Sequence, residues 1–255
     1  MKTKRKSTAL NEQIALIADI HGNTWALDAV LADIKRREIT RIVNLGDCVY
    51  GSLDPAGTLE RLMGANMISI AGNQDREVFD ESEQVRSSRD HQFVTGQLSA
   101  AQLAWLEQLP TTQVIEDVFL CHGTPASDMI YLLEHVTEHG VFLRNSATIT
   151  AELCNVRQPV VVCGHSHIPR TVWLPDGRLV VNPGSVGIPA YNEDLPYPHV
   201  MEAGSPHARY AVLARQPGGW AIEHVALPYP WSQAAEVARR NGRPDRARWI
   251  ETGRA

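Results

Sequence analysis

Cysteine is scarce in this chain. The four present, Cys48, Cys121, Cys154 and Cys163, are scattered and form no C-x-x-C pair. That excludes a disulfide framework and a thiolate zinc cluster, and leaves reduced, mostly buried thiols. Long apolar runs are also missing. None approaches the roughly 20 residues that span a bilayer, and the basic stretch Met1 to Ser7 has no apolar signal core behind it. The expectation is a cytoplasmic protein with no membrane partner. Positive charge is in deficit, 24 Lys and Arg against 29 Asp and Glu, for a formal net charge of -5. This argues against a nucleic-acid scaffold role held by bulk charge, while leaving room for a nucleotide at a local site. There is no internal repeat.

What the chain does have is enough apolar content, 44% of 255 residues, to bury one sizeable core. The expected organisation is a single domain over residues 1–255. Within it, 1–12 form an N-terminal tail, the proline-rich 188–206 a loop insertion, and 231–255 a C-terminal helical extension that closes the domain edge. Ile14 to Ala18, Arg41 to Leu45, Met67 to Ala71, Val118 to Cys121 and Val160 to Cys163 read as buried strands. Leu27, Val30, Leu31 and Ile34 recur at helical spacing behind Asn23, an N-cap residue type. After about residue 170 the pattern turns to antiparallel strands: Thr171 to Leu174 and Arg178 to Asn182 across an Asp-Gly turn, then Tyr210 to Ala214 and Ala221 to Leu227. Burying all of these strands calls for an α/β fold, a four-layer α/β/β/α sandwich of two sheets flanked by helices.

A residue with metal-binding chemistry follows the end of each of the first five strands: Asp19 and His21, then Asp47, Asn73, His122, and finally His165 with His167. In open α/β sheets ligands bind beyond the carboxyl ends of the strands, so these seven side chains can converge. Taken singly, an Asp or Asn there is a turn former or cap, and a lone His-x-His is weak evidence. As a set, mixed oxygen and nitrogen donors suit Mn, Fe, Zn or Ni better than calcium, with Mg as a further option. Seven ligands exceed one four-coordinate site, so two divalent ions are expected.

Asp19-Ile20-His21, Gly46-Asp47, Gly72-Asn73-Gln74-Asp75, His122-Gly123 and Gly164-His165-Ser166-His167 resemble, in order, the successive motifs of the calcineurin-like metallophosphoesterases. Within that superfamily they are similar to the small bacterial and archaeal YfcE-like phosphodiesterase branch, over about Ile14 to Leu213. The resemblance implies that Asp19, His21 and His167 hold one metal and Asn73, His122 and His165 the other, with Asp47 bridging. It implies that Asp47, Asn73 and His122 are catalytic, and that a metal-bridging hydroxide attacks phosphorus in line without a covalent phosphoenzyme. The substrate is then a small phosphodiester, phosphomonoester or nucleotide anhydride.

One position departs from the pattern. Many family members carry His after the Asn of the third motif, where this chain has Gln74, which cannot deliver a proton. Preference for leaving groups that need little protonation follows, unless another residue such as His91 or His199 supplies the proton. Asn23, Gln74 and Arg76 are candidate substrate contacts; Asn23 has a second reading as a cap, and Arg76 as the ion-pair partner of Asp75. Asn182-Pro183-Gly184-Ser185 resembles a family loop near the site. Trp25, Tyr50, Tyr191 and Tyr197 are available to stack on a base. Rival readings are a dinucleoside polyphosphate hydrolase, a serine/threonine protein phosphatase, and a metal-binding scaffold like the retromer subunit that shares this fold. Self-association into a homo-oligomer stays open.

Overall fold

Strand β1 (Gln13–Ile17) has no exposed face beyond its first residue. Ile14 and Leu16 join one buried cluster and Ala15 and Ile17 another, as the two-residue side-chain period requires. Burial on both faces is why the strand reads as a continuous apolar run rather than an alternation. The computed structural model describes residues 12–255, so the expected tail lies, apart from Glu12, outside the described residues.

From β1 the chain enters helix α1 (Thr24–Arg36), capped by Asn23, whose side chain accepts from the Ala26 N–H. Leu27, Val30 and Ile34 are buried on its inner face. Each contributes about 1.5–3 kcal/mol relative to exposure, against about 1 kcal/mol for the cap, so packing holds the helix. It returns the chain to β2 (Arg41–Asn44), parallel to β1. Next come α2 (Pro55–Gly64), β3 (Ile68–Ser69), short helices α3 (Asn73–Glu77), α4 (Glu83–Arg86) and α5 (Arg89–Thr95), and α6 (Ala100–Glu107). The second half holds β4 (Thr112–Ile115), β5 (Val118–Cys121), β6 (Glu134–Thr137), β7 (Gly140–Leu143), α7 (Ser146–Glu152), β8 (Val160–Val162), β9 (Arg170–Trp173) and β10 (Leu179–Asn182). It continues with β11 (Ala190–Glu193), β12 (His199–Glu202), β13 (Ala208–Gln216), β14 (Gly219–Leu227), α8 (Trp231–Arg240) and α9 (Pro244–Thr252).

Ten of the fourteen strands of the described residues form two five-stranded sheets, β14-β13-β1-β2-β3 and β4-β5-β8-β10-β9, and the rest form the two-stranded pairs β6-β7 and β11-β12. Both five-stranded sheets are mixed: β13 adds antiparallel to β1 beside the parallel β1–β2 pair, and β10 runs parallel to β8 but antiparallel to β9. The late strands therefore do not make an antiparallel sheet of their own. They complete the two sheets, β13 pairing with the open edge of β1 and β10 with that of β8, so that the unpaired backbone N–H and C=O groups there are satisfied. Ile14, Leu16, Val43 and Leu213 meet Leu120, Val162 and Val181 between the sheets. Outside, α1, α2 and α8 cover the first sheet and α7 covers the second. This is the four-layer α/β/β/α sandwich expected from the sequence.

The region 188–206 is not a loop. It contains the antiparallel hairpin β11–β12, with Ala190 paired to Glu202 and Glu193 to His199. His199 and Met201, on one face of β12, are buried, as is Ala190 on the other face of the hairpin, while the prolines fall outside the paired residues, which is how a proline-rich segment still makes a ladder. The C-terminal extension is helical, as α8 and α9. Among the described residues no helix is long and apolar enough to cross a membrane.

Candidate metal centre

The carboxyl ends of β1, β2, β5 and β8 open on one side of the sandwich, and six of the seven candidate ligands gather there in two groups. Ligand atoms of Asp19, His21 and His167 lie within 4.8 Å of one another, and so do those of Asp47, His122 and His165. Asn73, at the start of α3, brings its Oδ1 to 3.1 Å from His122 Nε2. Five of these residues are bent into left-handed backbone: Asp19 (φ 54), His21 (φ 52), Asp47 (φ 55), His165 (φ 70) and His167 (φ 60). Non-glycine residues rarely adopt this conformation, each instance costs on the order of 1–3 kcal/mol, and such strain clusters at functional sites. The sharp exits also need glycine at contacts: a Cβ on Gly72 would lie 2.2 Å from Asp47 Oδ1.

Hydrogen bonds fix the tautomers. His21 Nδ1 donates to the Tyr50 carbonyl at 2.6 Å, His122 Nδ1 to Leu45 at 2.8 Å and His167 Nδ1 to Ile188 at 2.7 Å. A carbonyl only accepts, so each Nδ1 carries the proton and Nε2 is turned inward. His21 Nε2 and His167 Nε2 then stand 3.0 Å apart, lone pair against lone pair. Beside them Asp19 Oδ2 is buried without a hydrogen-bond partner among the described residues.

Burial dominates the proton balance. It raises Asp19 to about 8, against the pull of His122, lowers His21 and His165 to about 4, and holds His167 well below the ordinary imidazole value. Burial acts the same way on His122 and Asp47. Their mutual attraction outweighs it, holding His122 up at about 10 and Asp47 below the ordinary carboxylate range. Without a cation the centre thus stores protons on His122 and Asp19.

These features fit a pair of divalent cations. Opposed imidazole lone pairs, an unpartnered buried carboxylate oxygen and displaceable protons are what a cation resolves on binding. Nitrogen and oxygen donors without thiolate match borderline first-row ions.

Several supporting residues carry no ligand chemistry. Asp75 accepts from the N–H groups of Asp47, Cys48 and Gly72 at 2.8, 2.8 and 3.0 Å and so braces the Asp47 turn. The Asn182 to Ser185 loop does lie at the site. Ser185 donates to the Asp19 carbonyl at 2.7 Å and Asn182 to the Gly164 carbonyl at 2.7 Å, tying down two ligand-bearing turns.

The substrate-contact expectations divide. Gln74 lines the cavity above the centre; its N–H donates to Asp47 Oδ1 at 2.9 Å and its Oε1 is buried without a partner among the described residues. Asn23 does not face the cavity. It is fully buried, and besides capping α1 its Nδ2 donates to the Gly187 carbonyl and the Tyr229 hydroxyl, so the cap reading holds. Arg76 does not line the cavity either, but borders a smaller cavity on the far side of His122. It pairs with Asp128 at 2.8 and 3.0 Å, and not with Asp75, which is committed inward. Neither His91 nor His199 lines the cavity; His91 Nε2 is tied to the Val78 carbonyl, and His199 is tied to Tyr131 and Tyr197.

The cavity over the centre measures about 1150 Å³. Tyr50 and Tyr191 line it, Trp25 and Tyr197 do not, and Tyr131 and Trp249, which the sequence pattern did not single out, do. Its walls come from the β6–β7 hairpin (Glu134, His135), the β11–β12 hairpin (Asn192, Glu193) and α9 (Arg246).

Residues 13–201 match the calcineurin-like phosphoesterase superfamily domain. The uncharacterized protein MJ0912 of Methanocaldococcus jannaschii is 27% identical over 267 residues, covering 92% of this chain and 96% of that protein. Among solved structures, a metallophosphoesterase from Sphaerobacter thermophilus is 25% identical, with a TM-score of 0.72 over 94% of this chain and 98% of its own. The hypothetical protein PH1004 from Pyrococcus horikoshii shares the fold at a TM-score of 0.72 and 16% identity, over 94% and 98% of the two chains.

Proposed function

Since the chain belongs to the calcineurin-like phosphoesterase superfamily, we propose that it is a dinuclear metal-dependent hydrolase of phosphate esters or anhydrides, acting in the cytoplasm on a small phosphorylated substrate. Asp19, His21 and His167 would hold one ion and Asn73, His122 and His165 the other, with Asp47 between them. The observation that carries this reading is the 3.0 Å approach of His21 Nε2 to His167 Nε2, with both Nδ1 atoms committed as donors. When bound, the ions supply an activated water and neutralise charge on the phosphoryl group.

The chain's own residues do the positioning. The carbonyls of Tyr50, Leu45 and Ile188 hold the imidazoles so that only Nε2 faces the centre. Asp75 and the Gln74 N–H fix Asp47 through its backbone and its Oδ1. Gln74 presents an amide, so this position offers the leaving oxygen a hydrogen bond and no proton. Leaving groups that depart without protonation, anhydride phosphates and aryl oxides, are therefore favoured.

The test strips the protein with chelator, restores Mn, Ni, Zn or Mg in turn, and assays bis-p-nitrophenyl phosphate, p-nitrophenyl phosphate and diadenosine tetraphosphate beside Asp47→Ala. Metal-restored turnover that disappears in Asp47→Ala is expected. Turnover that survives Asp47→Ala, or none with any metal, overturns the reading.

A further inference from the structure

Beyond the metal-type residues the cavity has an apolar wall that begins with two rings. Tyr131 lies against His165 and Tyr191 against His167, with ring centroids 4.7 and 4.6 Å apart. Their hydroxyls are committed to the protein. Tyr191 divides its proton between the Tyr131 hydroxyl at 2.9 Å and the His165 carbonyl at 3.1 Å. His199 Nδ1 donates to the Tyr197 carbonyl at 2.8 Å, so its Nε2 is an acceptor, and the Tyr131 hydroxyl donates to it at 3.2 Å. Both tyrosines line the cavity, and with their protons engaged they offer it ring surface.

The wall continues through the chain neighbours of Tyr131. Met129 and Ile130 line the same cavity, and so does Leu195 of the connection between β11 and β12. They are 59%, 45% and 74% exposed, and Leu195 is the most exposed large apolar side chain among the described residues. In addition, β7 packs against β12, and these two strands carry the exposed Phe142, Leu143 and Val200. A single exposed apolar side chain needs no explanation. Several that converge on one cavity from segments remote in sequence mark a binding surface.

The charges on the wall decide what kind of group it takes. Each arginine that lines the cavity is already paired: Arg144 with Glu152, Arg243 with Asp90 and Asp245, and Arg246 with Asp90. Glu193, which accepts from the Asp194 and Leu195 N–H groups, adds negative charge beside Leu195. A further anionic group on the substrate would meet paired arginines and an added carboxylate there. A hydrocarbon group would exchange water for apolar side chains, which is favourable. At about 1150 Å³ the cavity exceeds the roughly 300–1,000 Å³ typical of small-molecule sites, so it has room for such a group beside a phosphoryl group at the metal-type residues.

We propose that Met129, Ile130 and Leu195, continued inward by the rings of Tyr131 and Tyr191, form a subsite for an uncharged, apolar arm of the substrate. The substrate class is then a phosphate ester of a hydrophobic alcohol or phenol. This rests on the phosphoesterase reading above.

The test compares methylphosphonate with butylphosphonate, neither of which can be hydrolysed, by titration calorimetry on the manganese-loaded protein. Wild type is expected to bind butylphosphonate about 10- to 100-fold more tightly, at about fourfold for each methylene buried. Binding of the longer arm should also carry the more negative heat-capacity change. In Met129→Ser/Leu195→Ser the ratio of the two affinities should fall by about tenfold. Both side chains are exposed, so the double variant keeps the fold. Trp173→Ser, an equally exposed apolar position of β9 that does not line the cavity, serves as control and should keep the wild-type ratio. Equal affinity of wild type for the two phosphonates, a wild-type ratio in the double variant, or the same fall in Trp173→Ser overturns the proposal. Turnover of p-nitrophenyl phosphate is measured in parallel. Its absence with every metal would refute the phosphoesterase reading, and the calorimetric ratio would still decide the subsite.

Discussion

Asp75 touches no candidate metal position with its own ligand chemistry, yet replacing it should damage the centre by a calculable amount. Its Oδ2 accepts from the N–H groups of Asp47 and Gly72, and its Oδ1 from that of Cys48. In Asp75→Asn one oxygen remains; if it serves the first two donors, the Cys48 N–H faces an amide NH₂. One buried donor left unsatisfied costs about 1–3 kcal/mol, a large part of the roughly 5–15 kcal/mol that holds a domain folded. The loss falls on a turn whose central residue, Asp47, is already at φ 55, so the carboxylate should lose its fixed position as well. Groups that orient ligands typically change metal affinity or activity by about 10- to 100-fold. Urea unfolding of the metal-free protein should show a lower midpoint with an unchanged slope, and turnover at limiting metal should fall within that range. Asp75→Ala, which orphans all three N–H groups, should be worse on both counts. An Asp75→Asn protein with wild-type midpoint and wild-type metal dependence would refute the bracing role.

Gln74→His should raise turnover of alkyl phosphates, within the roughly 10²- to 10⁴-fold that a general acid supplies, because Gln74 already faces the cavity with a free Oε1; no gain on alkyl substrates would count against the leaving-group argument. Asp90 gives a pH test of how α9 is attached. Burial would raise its carboxyl, but Arg246 and then Arg243 outweigh burial and hold it below the ordinary value. A depressed folded pKa gives stability that is present above the unfolded value of about 3.9 and lost as pH falls through the folded value. Asp90→Asn should therefore be less stable than wild type at neutral pH, with the difference closing below about pH 4. A difference independent of pH would contradict that origin.

Much of the site could be read in advance because its ligands are coupled to local grammar: an apolar strand stops, a glycine bends the chain, and a donor follows. Asp47 after β2 and His165 after β8 are legible on those terms alone. The late strands were visible as strands, but their partners were not, since nothing local tells β13 to join β1, a strand some 200 residues earlier, as well as its neighbour β14. The β11–β12 hairpin was masked by prolines that sit outside its paired positions. Asn23 carried two equally good local readings, and only the distant Gly187 carbonyl and Tyr229 hydroxyl decide for the cap. The role of α9 was out of reach for the same reason: Arg246 looks like one more arginine in a polar helix until Ser52 and Asp90, more than 150 positions away, bury it against the cavity.

The central claim is that the two groups of buried donors hold two cations at once. Inductively coupled plasma mass spectrometry on protein stripped with chelator, reloaded with manganese and freed of excess ion measures this directly. The expected result is two ions per chain in the wild type, with occupancy falling in Asp47→Ala. One ion per chain, or none at saturating metal, would contradict the account.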